Sequence, residues 1–433
     1  MSASRPLPAS DSLAASLLGA AHAVAAVLAG NALDEAFQRT PDALTGNPAA
    51  VRDLAYQCLR AHAAIESRLA VLVPKPLREA DRRALLLVAL CRLTTRAEGA
   101  HTTVNQAVDA ARTLGGDRFA ALMNAVLRNA QRRAAELDNA VANDTAAHWQ
   151  HPGWWLERLQ RDHPGHWQEI AAQGNTHPPM ALRVNIRRST VEHALARLEG
   201  VGIDAVARGD SGILLSRPAP VARLPGFAAG ELSVQDLGAQ RAAALLDAQP
   251  GMRVLDACAA PGGKASHLLE CADVDLLALD LGAQRAQRIG ENFERLGLKA
   301  TIVVGDAGKP DTWWDGRAFD RILADVPCSA SGVVRRHPDA KWLRRPADIA
   351  GFARQQRTLL DALWRVLAPG GKLLYATCSV FRAENEDQVA SFVDRHSDCL
   401  RLSPCGAPDL QLLPTAEHDG FYYALLQKRA GTD

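Results

Sequence analysis

The chain lacks the signals that mark several large protein classes. Its 433 residues include only 8 cysteines, scattered, with no C-x-x-C pair. That spacing offers neither a disulfide framework nor a zinc site, so reduced thiols, no metal and a cytoplasmic location are expected. Lys and Arg number 49 against 48 Asp and Glu, so no global basic field attracts nucleic acid and any such attraction must be local. The apolar run Ala84–Cys91 falls far short of the about 20 residues a membrane helix needs. Residues 1–10 lack the charged start of a signal peptide. No internal repeat is visible. What remains is a long, 48% apolar chain, enough for about three domains of about 150 residues each.

Three regions differ in periodicity. Residues 11–135 read as all-helical. Ser12 can cap a helix carrying Leu13, Leu17, Val24 and Leu28, ended by Gly30. Leu54, Cys58 and Ile65 mark a second apolar stripe, and Val104, Ala107, Val108, Ala111 and Leu114 a third, stopped at Gly115-Gly116. Asp117 then caps a stripe of Phe119, Leu122, Met123, Val126 and Leu127. These stripes are core faces, and Arg128, Arg132 and Arg133 read as a solvated face. Residues 136–150, polar and alanine-rich, read as a linker. From 151 to 235 the pattern mixes strands at Leu182–Asn185 and Ile213–Leu215 with a helix over Thr190–Glu199. Its arginines (Arg183, Arg187, Arg188, Arg197) are nearly balanced by acids, so charge alone does not mark an RNA surface there. From about 236, strands at Arg253–Asp256, Val274–Asp280, Thr301–Val304, Arg321–Asp325 and Lys372–Ala376 alternate with helical stretches. That is a doubly wound parallel sheet, whose ligands bind beyond the carboxyl ends of the strands.

The first such strand runs into Cys258-Ala259-Ala260-Pro261-Gly262-Gly263-Lys264. Small residues let a ligand approach the backbone, and the helix that follows offers free amides to an anion. The segment is neither a Walker phosphate loop nor G-x-G-x-x-G, so a carboxylate suits it better than a pyrophosphate. Asp280 ends the second strand, where an acid can accept from ribose hydroxyls, and Asp306, after the third, can bind an adenine amino group. Together these acids fit S-adenosylmethionine, which has a carboxylate and a ribose but no phosphate.

Two further strand ends each carry a thiol: Asp325-Val326-Pro327-Cys328-Ser329 and Tyr375-Ala376-Thr377-Cys378-Ser379. A pair of thiols suggests covalent catalysis, one sulfur attacking and the other helping release. Residues 335–345 hold Arg335, Arg336, Lys341, Arg344 and Arg345 against one acid, Asp339, a local charge of +4. This run is expected to meet RNA phosphate, with Trp342 either stacked on a base or buried. Cys58, Cys91, Cys271, Cys399 and Cys405 match no motif and read as structural. Cys258 contributes through its backbone.

The 258–264, 325–329 and 377–379 segments resemble the signature motifs of RNA cytosine-C5 methyltransferases. Val104-Asn105-Gln106-Ala107-Val108 and Asn124-Ala125-Val126-Leu127-Arg128-Asn129 are similar to the NusB-like RNA-binding fold, and Arg335–Trp342 and Asp419–Tyr423 also look like the family. The resemblance covers almost the whole chain. It implies an all-α NusB-like domain over 1–140, a small α+β RNA-binding module over 141–235 and an α/β Rossmann-like class I methyltransferase domain over 236–433. It also implies action on 16S ribosomal RNA, by a monomer. By the resemblance, Cys378 attacks C6 of cytosine, Cys328 assists release, Asp325 meets the N3/N4 edge of the base as well as lining the cofactor site, and Lys264 reaches the same base. The residues alone leave the order of the cysteines open, because in cytosine-C5 DNA methyltransferases the Pro-Cys cysteine attacks. Two rivals stand beside this reading: a methyltransferase acting on transfer RNA or 23S ribosomal RNA, and a non-catalytic RNA-binding or antitermination factor. Lys264, Asp325, Cys328 and Cys378 together argue against the second.

Overall fold

Residues 8–41, 47–75, 77–403 and 406–430 are described by the computed structural model; Cys405, read above as structural, lies outside them. The chain forms two compact units, one running to Thr176 and including Val334–Arg345, the other covering His177–Val333 and Pro346 onward.

The first unit is helical. Helix Leu13–Leu28 begins where the Ser12 hydroxyl accepts from the Ala15 amide at 3.1 Å, and it buries Leu17 and Val24. Gly30, at φ 104°, takes the chain out of it. Every residue of Ala84–Cys91 is buried, because helix Ala80–Thr95 runs through the middle of the bundle against Leu13–Leu28, Pro48–Arg60 and Ala100–Arg132. The last of these breaks at Gly116 (φ 73°), where the sequence places a stop. Residues 136–150 are not an extended linker. They form helices Ala134–Asn143 and Thr145–Trp149, the second capped by Asp144, and bury Leu137 and Ala147.

Two of the five cations in the basic run 335–345 are the larger correction, Arg336 and Arg344 being half-buried and Arg345 exposed. Arg335 and Lys341 are buried within the helical unit. The Lys341 Nζ donates to the carbonyl oxygens of Gln150 (2.9 Å) and Arg60 (3.3 Å) and to Asn175 Oδ1 (2.8 Å). Trp342 Nε1 donates to the Leu59 carbonyl at 2.8 Å, and its ring meets His62 edge-on at 4.7 Å. Asp339 accepts from the Leu33 amide. These side chains bind the chain to itself rather than facing phosphate.

The second unit holds two sheets. The smaller is antiparallel, in the order β2 (Ala205–Arg208), β3 (Gly212–Leu215), β1 (Ala181–Val184), β4 (Leu232–Val234). Thr190 caps helix Val191–Gly200, which packs on β2 and β3. The arginines of this module make internal contacts. Arg183 is fully buried and grips Glu270 through both its Nε and Nη2, while Arg187 donates to the Glu270 carbonyl, Arg188 to that of Ala229, and Arg197 pairs with Glu231. Because Arg183 also bonds the Gly263 carbonyl (2.7 Å), the module braces the first turn of helix Gly263–Cys271.

The larger sheet contains β5 (Arg253–Ala257), β6 (Asp275–Asp280), β7 (Thr301–Val304), β8 (Phe319–Asp325), β9 (Leu367–Thr377), β10 (Cys399–Leu402), β11 (Asp409–Leu412) and β12 (Phe421–Lys428), ordered β10-β12-β9-β8-β5-β6-β7 with β11 also on β12. Strands β5 to β9 are parallel, as the alternation predicts. The sheet is nonetheless mixed, because β12 runs antiparallel to β9 and carries β10 and β11. The chain order reverses at β5, between β6 and β8, which is where an open α/β sheet forms its ligand crevice.

His267 lies buried on the Gly263–Cys271 helix, and burial, then Arg183, lowers its imidazole to about 3. The unfolded chain therefore binds a proton near the ordinary His value of about 6.5 that the folded chain refuses, so this residue costs stability as pH falls below that value. Between pH about 7 and about 5 the native chain should lose more melting temperature than a His267→Gln chain; parallel slopes would remove His267 from the acid sensitivity.

Candidate active site

The parallel register brings the sequence motifs to one edge. Ala257 lies opposite Ala324, and Asp325 opposite Ala376, so the chain leaves β5, β8 and β9 side by side. Beyond β5, Cys258 (φ 67°) and Gly262 (φ 96°) turn the backbone, and Gly262 starts helix Gly263–Cys271. A side chain at Gly262 would place its Cβ 3.2 Å from Ile289 in an already left-handed residue, so glycine is required there. Asp280 fixes the other wall. Its carboxylate accepts from the amides of Ala260 (3.1 Å) and Gly282 (3.0 Å) and pairs with Arg285 at 3.0 Å. Asp306, after β7, accepts from the Gly308 amide at 2.9 Å and has Lys309 3.6 Å away. Desolvation, then Asp325, pushes the Cys258 thiol up to about 12, so it stays protonated.

Lys264 reaches across from the loop to β8, where its Nζ lies 2.6 Å from Asp325 Oδ2. Burial opposes its charge, but Asp325, with Tyr423 and Cys378, holds the ammonium above its ordinary value. Asp256, buried at the end of β5, is pushed well above the carboxylate range by burial and then by Asp325. It is a neutral acid beneath the ion pair that motif reasoning did not single out.

The two thiols meet. Cys328 Sγ and Cys378 Sγ lie 3.4 Å apart, both partly exposed. Their hydrogen bond, followed by burial, pushes the Cys328 thiol well above its usual range. The loops carrying them are joined by backbone contacts: the Gly332 amide donates to the Cys378 carbonyl and the Gly420 amide to the Gly332 carbonyl, both at 2.9 Å. A Cβ on Gly332 would stand 2.4 Å from the Gly420 oxygen. Gly332→Ala is therefore expected to cost about 1–3 kcal/mol, read as a lower denaturation midpoint; an unchanged midpoint would show that the loops yield freely.

Beneath the thiols is a polar network absent from the sequence reading. Glu384, fully buried, accepts from the Ser329 amide (2.8 Å), the Ser329 hydroxyl (2.6 Å), the Ser379 hydroxyl (2.6 Å) and Gln356 Nε2 (3.3 Å). Asn385 accepts from Thr377 (2.6 Å) and donates to the Ser379 carbonyl (2.9 Å). In the sequence, Arg382-Ala383-Glu384-Asn385-Glu386 looks like a solvated polar run. Only the five-residue spacing from Ser379 hinted at a local contact.

Family models match three stretches: "16S rRNA methyltransferase RsmB/F" over residues 243–427, an RsmF/B-like ferredoxin-like domain over 151–222, and the NusB family over 15–132. Two relatives named "Ribosomal RNA small subunit methyltransferase B" span nearly the whole chain. That of Vibrio cholerae is 44% identical, covering 88% of this chain and 89% of its own; that of Pseudomonas syringae pv. tomato is 43% identical, covering 96% and 97%. Among solved structures, a methyltransferase homolog protein from Pyrococcus horikoshii is 26% identical at TM-score 0.58, over 65% of this chain and 97% of that one. NSun6 from the same organism, with SFG, shares the fold at 20% identity and TM-score 0.58, over 65% and 99%. Among the described residues, no helix is long and apolar enough to cross a membrane.

Proposed function

The chain belongs to the RsmB/F family of 16S ribosomal RNA methyltransferases and uses S-adenosylmethionine, and we propose that it methylates C5 of one cytosine in small-subunit ribosomal RNA through a covalent bond between Cys378 and C6. The observation that carries this reading is the 3.4 Å pair of sulfurs at the strand ends that also carry the Lys264–Asp325 ion pair.

The residues around the crevice fit the cofactor. The amide-rich turn 258–264, clear of side chains at Gly262, suits its carboxylate end, and Asp280 and Asp306 suit the ribose and adenine. When bound, S-adenosylmethionine supplies an electrophilic methyl group.

The residues divide the remaining work. C5 of cytosine is a poor nucleophile until a thiolate adds to C6 and makes it enamine-like. Asp325, paired with Lys264, accepts from the N4 amino group of the base, and the Lys264 charge offsets the negative charge that addition places on the ring. The attack is given to Cys378 and the release to Cys328 by the family resemblance, since either sulfur can donate in the hydrogen bond between them. Once the Cys378 sulfur is committed to C6, that hydrogen bond and the neighbouring charge both vanish. Cys328 can then release its proton to solvent and take the proton from C5, after which the C6–S bond breaks. The target base must leave its stack to reach the sulfurs, so a flipped or unpaired cytosine is required.

RNA carrying 5-fluorocytidine tests this order, because fluorine cannot leave C5 as a proton does. A cofactor-dependent protein–RNA complex attached through Cys378 is expected. Attachment through Cys328 would reverse the roles, and no complex on any ribosomal RNA would sink the covalent route.

A further inference from the structure

We propose that Glu384 is a positioning residue: one buried carboxylate grips the residue that follows each cysteine and so sets the distance between the two sulfurs. The inference rests on the reading that Cys328 and Cys378 act on one base.

The geometry is specific to the pair. Ser329 follows Cys328, and Ser379 follows Cys378. Both hydroxyls end on the same oxygen, Glu384 Oε2, at 2.6 Å, while Oε1 takes the Ser329 amide. The two hydroxyls are themselves 3.3 Å apart. Gln356 extends the grip by donating both to Glu384 and to the carbonyl of Pro327, the residue before Cys328. Tyr375, on β9, donates its hydroxyl to the Glu384 carbonyl at 2.6 Å and so anchors the clamp to the strand that delivers Cys378. Asn385 completes the second side by holding Thr377 and the Ser379 carbonyl. No bond of Glu384 goes to the cofactor turn 258–264, so its effect is confined to the thiols.

A buried acid that holds the residue after each of two thiols does more than satisfy a core. If it were replaced by an apolar residue, both serine hydroxyls would lose their shared carboxylate, leaving Ser379 its 2.9 Å contact with Ser331, and the loops would lose the group that ties them together. Nucleophile and releasing group act on adjacent carbons of one ring, and a displacement of about 1 Å in such a constellation can lower turnover about 100-fold.

The test is closure of the Cys328–Cys378 bond by diamide, which takes up the two thiol hydrogens as the Sγ–Sγ bond forms, followed by peptide mapping of the linked pair. In the full chain, Glu384→Ala should slow this closure at least about tenfold and lower kcat about 100-fold, with KM for RNA and S-adenosylmethionine binding within about threefold of native. Glu384→Gln, which retains one acceptor oxygen, should fall between. Native closure rates in Glu384→Ala would overturn the proposal, as would a loss confined to melting temperature. If Glu384→Ala does not fold, Ser329→Ala and Ser379→Ala each remove one grip. Slower closure in both is expected, and native closure in both would overturn it. Closure needs no turnover. A native chain that closes its thiol pair quickly but transfers no methyl group would therefore sink the reaction reading while leaving the clamp in place.

Discussion

Cys378→Ala should abolish methyl transfer, lowering kcat at least about 10³-fold, while S-adenosylmethionine binds as before. The loss is large because C5 becomes nucleophilic only when a thiolate adds to C6. Cys328 is 3.4 Å away, but the family resemblance gives it the release step rather than the attack. Removing Cys378 leaves Cys328 at the position assigned to release at C5, so it does not replace the attack on C6. Cofactor binding should survive, since the turn 258–264 and Asp280 make no contact through the Cys378 thiol. The contacts that shape the loop use the Cys378 carbonyl and the Ser379 side chain, which alanine leaves intact. Turnover within about tenfold of native would show that Cys378 is not the nucleophile.

Cys328→Ala should give the opposite signature: addition and methylation proceed, release stalls, and a protein–RNA complex survives denaturing electrophoresis. After methylation C5 is bonded to ring carbons, a methyl group and one hydrogen, and the C6–S bond cannot break by elimination until that hydrogen leaves as a proton. Cys328 is the ionisable group adjacent to the attacking sulfur. Asp325 is engaged with Lys264, so it is a poor substitute. Multiple turnover should fall about 100-fold or more while a single methyl transfer stays fast. If Cys328→Ala turned over normally and formed no complex, Cys328 would have no part in the reaction.

The parallel half of the catalytic sheet was legible because buried strands alternating with helices leave a periodic trace, and the motifs fall where such a sheet opens. The antiparallel edge was not. Strand β12 is apolar over Phe421–Leu426, but β10 and β11 are four residues each and gain their pairing only from it. Arg335 and Lys341, in the basic run 335–345, were misread for a different reason. A lysine bound for solvent and a lysine bound for three oxygens look alike in sequence, and Lys341 was identified only by Arg60, Gln150 and Asn175, more than 160 residues away. Arg183 hid its partner Glu270 in the same way, at a separation of 87 residues. The thiols and the Lys264–Asp325 pair sit in motifs, whereas the side chains packed around the thiols, Glu384 and Asn385 above all, are set by tertiary packing and leave almost no local mark.

The most direct test of the account is transfer of a labelled methyl group from S-adenosylmethionine to unmodified 16S ribosomal RNA, with the product mapped by position. The account predicts label at C5 of one cytosine. Label on transfer RNA or 23S ribosomal RNA instead would keep the chemistry and refute the substrate, and label at any atom other than C5 would contradict the covalent mechanism itself.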